Sequence, residues 1–388
     1  MSIIADIAAR ADALTAIRRD IHAHPELAFE EHRTAALVAD ELERCGIETH
    51  RGVGRTGVVG VLRGRNPGRC IGLRADMDAL PIHEVNEFAH RSRHDGCMHA
   101  CGHDGHTTML LGAAQYLAAT RNFDGTIVFV FQPAEEGEGG APAMIEDNFF
   151  ERFPVEAIFG MHNWPGMPAG HFGVTPGAVM AATDRFDIAI RGRGAHAAMP
   201  HLGVDPVVAG AHLVVAAQSI VSRTVDPLDA MVVSITQFHA GEAYNAIPTD
   251  ASLSGTIRTL TPQLRMAARE RLRQVAAGVA QSFGVTIDVT IHDGYPPTIN
   301  TADEAALCRE VAESLVGSEH VSWAHRPSMG AEDFAYFLEK RPGCYVWIGN
   351  GAGEGGCSLH NARYDFNDGI LPLGASYWVR LVERFLAF

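Results

Sequence analysis

The residues most suited to chemistry lie in one ten-residue stretch, 97–106, which reads Cys-Met-His-Ala-Cys-Gly-His-Asp-Gly-His. It offers two thiols, three imidazoles and one carboxylate, and this density of soft and borderline donors suits a transition metal. An apolar run from Thr107 to Ala118 follows, so we expect a loop at the start of a helix, where the helix dipole favours a thiolate. A structural zinc knuckle remains the alternative for this segment, although such closed sites usually pair Cys or His on two nearby turns.

Acids or histidines also follow several predicted strands. The strands are predicted from short apolar runs at 70–73, 126–131, 157–160 and 344–348. The polar residues that follow them are Asp76 and Asp78, Glu135 and Glu136, His162, and His360. Because ligands of open α/β sheets bind beyond the carboxyl ends of the strands, we expect these side chains to converge on one cleft.

The combined set of metal-ligand candidates has five members. They are Cys101, His103, Glu136, His162 and His360. A catalytic zinc usually takes three protein ligands and keeps an open position, so five donors favour a pair of metals. A single metal with some of these residues in supporting positions is the alternative.

The adjacent residues Glu135 and Glu136 can divide two tasks. Neighbouring side chains of an extended segment point in different directions, so one carboxylate can bind metal while the other stays available. The available one is suited to act as general base toward water. A solvated acidic loop is the alternative interpretation of the same residues.

Composition and charge exclude some functions. A chain of 388 residues is long for one core, so we expect two domains. The net charge of −15 argues against nucleic acid or an anionic membrane as partner. The seven cysteines are scattered and odd in number, which predicts a reducing, cytoplasmic compartment. No run resembles a signal peptide, and none reaches the roughly 20 apolar residues that span a bilayer.

The pattern of predicted strands and helices changes in the segment 184–293. Its predicted elements follow the order β-α-β-β-α-β, the split-βαβ arrangement of ferredoxin-like domains. We therefore predict an inserted α+β domain at 184–293 within a discontinuous catalytic domain at 1–183 and 294–388.

These motifs together resemble the metal-dependent aminoacylase/carboxypeptidase family, in its amidohydrolase branch acting on N-acyl amino acids. The matching stretches occur in one collinear order at 74–81, 98–106, 132–137, 194–201, 245–248, 255–258, 330–334 and 359–360. The resemblance implies a zinc-peptidase-like α/β catalytic domain with a mixed central sheet, beside the inserted ferredoxin-like domain. It also implies two divalent metal ions per subunit, Mn²⁺ or Zn²⁺, and a homodimer or higher homo-oligomer formed through the inserted domain.

The resemblance assigns roles residue by residue. Cys101 would bridge the metals, where the wider family uses an aspartate, and His103, Glu136, His162 and His360 would complete the ligand set. Glu135 would be the general base. His196 would reach across a dimer interface into the partner's active site, and Asn245 and Arg258 would contact the substrate carboxylate. From the residues alone, a turn histidine is the alternative for His196, and Arg258 could equally be a surface residue on its strand.

The expected reaction is hydrolysis of the amide bond of an N-acyl amino acid, either hippurate-like or N-acetylated. A metal-dependent dipeptidase or carboxypeptidase is the alternative enzyme, and a non-catalytic metal- or peptide-binding protein is the alternative from another class. The chain departs from the sequence that is usual in this branch at Phe88–Ser92 and at Asn361-Ala362. Both departures concern the choice of substrate rather than the metal ligands.

Overall fold

The computed structural model describes residues 2–352 and 357–387, and the chain divides into two compact units. Unit 1 comprises Met1–Val179, Ile299–Arg326 and Asp333–Phe388. Unit 2 comprises Met180–Thr298 and Pro327–Glu332, so it includes the predicted insertion and a short additional segment.

The helices differ from the sequence prediction mainly at their ends. In chain order they are α1 Ala5–Ala8, α2 Ala11–Ala23, α3 His32–Arg44, α4 His103–Thr120, α5 Gly140–Glu146, α6 Phe149–Arg152, α7 Pro206–Thr224, α8 Pro262–Phe283, α9 Ala302–Val316, α10 Ala335–Leu338 and α11 Leu371–Phe385. The N-terminal segment forms two helices, and the second, α2, ends just before His24 and Pro25 because proline disfavours the helical conformation of the residue before it.

The strands are likewise longer than their apolar runs. In chain order they are β1 Glu48–Val53, β2 Gly57–Arg63, β3 Cys70–Asp76, β4 Thr126–Gln132, β5 Ala157–Pro165, β6 Phe172–Val174, β7 Gly177–Met180, β8 Ala182–Arg191, β9 Ala195–His196, β10 Met231–Ala240, β11 Ala246–Ile247, β12 Asp250–Thr259, β13 Thr286–Asp293, β14 Thr298–Asn300, β15 Val321–Trp323 and β16 Gly343–Gly351.

Unit 1 is built on a mixed sheet. Over the described residues its strand order is β1-β2-β4-β3-β5-β16-β6-β15. The four central strands β4, β3, β5 and β16 run parallel to one another, so their carboxyl ends meet at one edge. These strands are buried along almost their whole length, as expected for parallel strands covered on both faces. The predicted α/β fold with a mixed central sheet is therefore confirmed.

Unit 2 contains a four-stranded antiparallel sheet with the order β10-β12-β8-β13. Helices α7 and α8 pack on this sheet, and the chain order of these elements is β-α-β-β-α-β. A small two-stranded antiparallel ribbon of β9 and β11 lies beyond the end of the sheet where Arg191 pairs with Asp250.

Helix α7 is the one described helix long and apolar enough to cross a membrane, by length and composition alone. In the structure, Ala209, Leu213, Ala217 and Ile220 form a buried stripe along it. The helix contacts α8 and the sheet of unit 2, which accounts for this stripe without a bilayer. Val215, on another face, is 72% exposed.

Candidate metal centre

The structure brings the five predicted ligands together at the carboxyl edge of the unit 1 sheet. Three overlapping triads each have their donor atoms within 4.8 Å of one another: Cys101–His103–His162, Cys101–Glu136–His360 and His103–Glu135–Glu136. Cys101 Sγ lies 3.3 Å from His162 Nε2, and His360 Nε2 lies 3.1 Å from Glu136 Oε1. Two triads that share one thiol are the arrangement expected for two ions with a common ligand.

The backbone turn at Gly102 determines the direction in which the first residue of α4, His103, leaves the loop. Gly102 precedes the helix with φ +104°, and a Cβ there would collide with Asn163 Oδ1, so only glycine fits. The prediction of a loop ending before Thr107 was wrong in detail, because His103 already lies in the first turn of α4. The helical conformation fixes the His103 side chain more firmly than a loop would.

The loop after β4 positions both glutamates. Ala134 has φ +51°, a left-handed conformation that is costly for a residue with a Cβ. Its N–H donates to Oε1 of the fully buried Glu31 at 2.8 Å, which holds this turn in place. Glu135, which is 6% exposed, accepts a long bond of 3.4 Å from the N–H of Asp333. Glu31 and Asp333 are supporting residues to which the sequence analysis assigned no role.

Asp76, the last residue of β3, and Asp78, two residues beyond it, bond residues of the candidate centre and its surroundings. Asp78 Oδ2 accepts a hydrogen bond of 2.9 Å from the N–H of Glu136. The backbone carbonyl of Asp78 accepts a second bond, also of 2.9 Å, from Nδ1 of His103. Asp76 lies 2.6 Å from His106 Nδ1 and also bonds Arg74. A partner on one ring nitrogen of a histidine fixes which nitrogen faces a metal.

Asp104, in the first turn of α4, connects this helix to His22 of α2. Its Oδ2 lies 2.8 Å from Nδ1 of His22, and Glu84 Oε1 lies 3.3 Å from the other ring nitrogen. Burial lowers the pKa of His22, but the hydrogen bonds to Asp104 and Glu84 outweigh burial and raise it to about 9. His22 is therefore a structural ion-pair residue rather than a metal ligand.

The electrostatics of the pocket fit divalent cations. Burial raises the pKa of the Cys101 thiol, and Glu136 and Glu135 raise it further. Burial lowers the pKa of His103, but Asp76 and Asp78 raise it to about 10, so the pocket holds excess negative charge. Nε2 of His103 is buried and has no hydrogen-bond partner among the described residues. A bound cation would use this nitrogen and lower the pKa of the thiol.

His162 lies within β5, not beyond its end as the apolar run predicted, because the strand continues to Pro165. Burial lowers the pKa of His162, which keeps the imidazole neutral and able to ligate. The next residue, Asn163, is fully buried and bonds His106 and Tyr364. Sequence reasoning gave Asn163 no role; its position directly after a candidate ligand was the available signal.

The three remaining predicted residues belong to unit 2. His196 and Asn245 are exposed and lie together, since the N–H of Ala197 donates to the carbonyl of Asn245 at 2.9 Å. Arg258 is half-buried on β12, next to Thr183. Its guanidinium makes no hydrogen bond to any described residue.

Comparison with known proteins extends these observations. Residues 72–384 match the model of peptidase family M20/M25/M40. The chain is 43% identical to the hippurate hydrolase of Campylobacter jejuni, with 100% of both chains covered. It is 39% identical to the N-acetylcysteine deacetylase of Bacillus subtilis, with 94% of each covered. A crystal structure from Bacillus subtilis, described as a dinuclear metal-binding peptidase of the M20 family, matches with a TM-score of 0.86 and 35% identity over 98% of this chain and 99% of that one.

Proposed function

Because this chain belongs to peptidase family M20/M25/M40, we propose that it is a binuclear metal-dependent amidohydrolase that converts N-acyl amino acids to a carboxylic acid and a free amino acid. The observation that carries this proposal is the pair of donor triads that share Cys101, with the buried Glu135 beside them. The named activities of the two curated relatives, hippurate hydrolysis and N-acetylcysteine deacetylation, are both of this kind.

In this proposal Cys101, His103, Glu136, His162 and His360 hold two divalent ions. When bound, such ions supply Lewis acidity at the amide carbonyl and bring the pKa of water toward neutrality. Sulfur, nitrogen and oxygen donors together do not select one metal firmly, and we expect Mn²⁺ or Zn²⁺.

Glu135 moves the proton. Its carboxylate accepts a proton from the attacking water and delivers it to the nitrogen of the leaving amine, so that water adds across the C–N bond. The turn held by Glu31 and the N–H of Asp333 position the carboxylate for this transfer. His196 would help to hold the developing oxyanion, and Asn245 and Arg258 would bind the substrate carboxylate, for which a guanidinium fork is well suited.

Replacement of Glu135 by Gln tests the proposed base. We expect kcat to fall by about 10²–10⁴-fold on N-benzoylglycine and N-acetylglycine, with metal content near that of the wild type. Glu138, which is exposed in the same loop, is the matched control, and Glu138→Gln should keep its activity. Wild-type rates in Glu135→Gln would show that the base is misassigned. Hydrolysis of dipeptides but of neither acyl substrate would favour a dipeptidase.

Strand β12 supports a site completed by two subunits. Arg258 pairs with Thr183 at one end of β8, whereas the ribbon of β9 and β11, with His196 in it and Asn245 next to it, lies beyond Asp250 at the other end. Eight residues at roughly 3.3 Å each separate Asp250 from Arg258 by about 26 Å. One small substrate cannot contact both ends within one subunit, so we propose a homodimer in which the partner supplies His196 and Asn245.

The surface of unit 2 is suited to such a dimer. Strand β10 is an edge strand whose Phe238 is 39% exposed, and α7 exposes Val208 and Val215. An unpaired edge beside apolar side chains favours association with a second chain.

Mixing two inactive variants tests the shared site. In a heterodimer of Glu135→Gln and His196→Ala, one site regains both intact residues if His196 acts on the partner. Random exchange of subunits should then restore roughly a quarter of the wild-type activity. No recovery, with heterodimers demonstrated by mass, would contradict the shared site.

A cytoplasmic location remains our proposal. It is supported by the seven cysteines, all of which are free in the structure.

A further inference from the structure

The strand that carries His162 continues to Trp164 and Pro165. Alternate residues of a strand share one face, so Trp164 lies on the same face as His162, about 7 Å further along. The centroids of the two rings are 6.2 Å apart. A side chain two residues beyond a proposed metal ligand is within reach of a group attached to an amide held at that ligand.

A cavity of about 450 Å³ opens beside Trp164, and all of its lining residues belong to unit 1. We call it the Trp164 pocket; its apolar wall includes Trp164, Met167, Phe172 and Val321, and its polar wall includes His171, Glu319, Ser322 and His325. Burial lowers the pKa of His325, which keeps that ring uncharged. The apolar wall therefore favours an uncharged, largely apolar group, and the carboxylate of Glu319 would repel an anionic one.

Trp164, in the apolar wall, is held in place by stacking. Trp164 stacks on the buried Trp347 with ring centroids 3.9 Å apart and 9° between the planes. The ring of His325 meets Trp347 edge-on at 5.2 Å. Gly173 lets Met167 and His325 pack closely against the backbone, since a Cβ there would lie 3.0 Å from Met167 Cε and 3.4 Å from the His325 ring. A pocket fixed in this way needs little reorganisation to accept a flat ring.

The loop after Trp164 is fixed as well. The carbonyl of Met167 accepts from the N–H of Gly351, and the carbonyl of His171 accepts from the N–H of Gly349, both at 2.9 Å. These bonds tie the loop to β16, so the pocket is present before a ligand arrives.

We propose that the Trp164 pocket receives the acyl group of the substrate and selects flat aromatic acyl groups, such as benzoyl, over acetyl. This inference rests on the proposed function. The volume is within the range of small-molecule sites and far exceeds what a methyl group fills. Stacking on Trp164 stabilises an aromatic acyl group, whereas the methyl group of an acetyl substrate cannot stack and is not stabilised in this way.

The test compares kcat/KM for N-benzoylglycine and N-acetylglycine, which share the same scissile amide and the same amino acid. We expect the wild type to prefer the benzoyl substrate. Trp164→Ala should lower kcat/KM for benzoylglycine by about tenfold or more and change the acetylglycine value by less than about threefold. Ser322→Phe, which fills the pocket from the exposed strand β15, should produce the same selective loss.

Trp323→Ala is the matched control. Trp323 lies on β15 beside the pocket, does not line it, and contacts Arg309 instead. This variant should keep the wild-type ratio of the two kcat/KM values. Equal losses on both substrates in Trp164→Ala, or a wild-type preference for acetylglycine, would overturn the acyl pocket while leaving the amidohydrolase intact. No hydrolysis of either substrate by the metal-loaded wild type would refute the proposed function, and the acyl pocket with it.

Discussion

The buried guanidinium of Arg18 leads to a sharp prediction about stability. Its side chain is fully buried and lies 2.6 Å from Asp368, 2.8 Å from Asp365 and 3.5 Å from Asp104. These carboxylates belong to the start of α4 and to a segment about 350 residues away in sequence. Arg18→Met would leave them buried or half-buried without their shared cation. Breaking a buried pair in this way costs about 3–5 kcal/mol of the free energy of unfolding.

Arg19 provides the matched control. It bonds the same Asp368 at 2.8 Å, but its side chain is 50% exposed. The contribution of such a surface pair is screened by solvent, so Arg19→Met should cost less than about 1 kcal/mol. The two variants remove the same type of side chain from adjacent positions, and only burial separates them.

Urea unfolding followed by tryptophan fluorescence measures the difference. All four tryptophans, at 164, 323, 347 and 378, lie in unit 1, so the signal reports the unit that contains Arg18. We expect the Arg18→Met midpoint to fall well below that of Arg19→Met. If the two free energies of unfolding differ by less than about 1 kcal/mol, the argument that the buried cluster stabilises unit 1 is wrong.

Three further predictions concern His22, Cys101 and Asp184. The folded-state pKa of His22 is raised to about 9, above its unfolded value, so its contribution to stability is complete below pH ~6.5 and is lost as the pH rises through 9. The destabilisation caused by His22→Gln in urea unfolding should therefore shrink by up to about 3 kcal/mol between pH 6 and 9.5, and a constant difference would contradict this. Cys101→Ser should lose both metal ions on dialysis, as measured by elemental analysis, whereas Cys97→Ser, a buried thiol outside the triads, should keep them. Asp184→Asn should destabilise unit 2 by about 2 kcal/mol, because Asp184 accepts charged hydrogen bonds from two arginines. Calorimetry should show this loss while the tryptophan transition of unit 1 stays unchanged; a shift confined to unit 1 would refute it.

Local pattern was enough to locate most of the proposed metal centre. Cys101 and His103 are close in sequence, and Glu136 lies in the loop just after β4, a strand that the apolar run predicts. The order of elements in unit 2 was also predictable, since alternating and helical hydrophobic periods identify strands and helices locally. The ends of the elements were harder to predict. Strand β5 extends to Pro165 and α4 begins at His103, because sheet pairing and packing continue past the apolar residues.

The residues that hold the site rigid depend on contacts that no local pattern encodes. Glu31 reaches the turn at Ala134 across 103 positions, and Asp333 reaches Glu135 across 198. The separation of Arg258 from His196 likewise follows from the register of β12 on β8 rather than from their spacing in sequence. The sequence by itself determined which donors are present and which strands and helices carry them, because side-chain chemistry and hydrophobic period are local properties. Only the tertiary structure decided how those donors are aimed, since strand order and register bring together residues that are hundreds of positions apart.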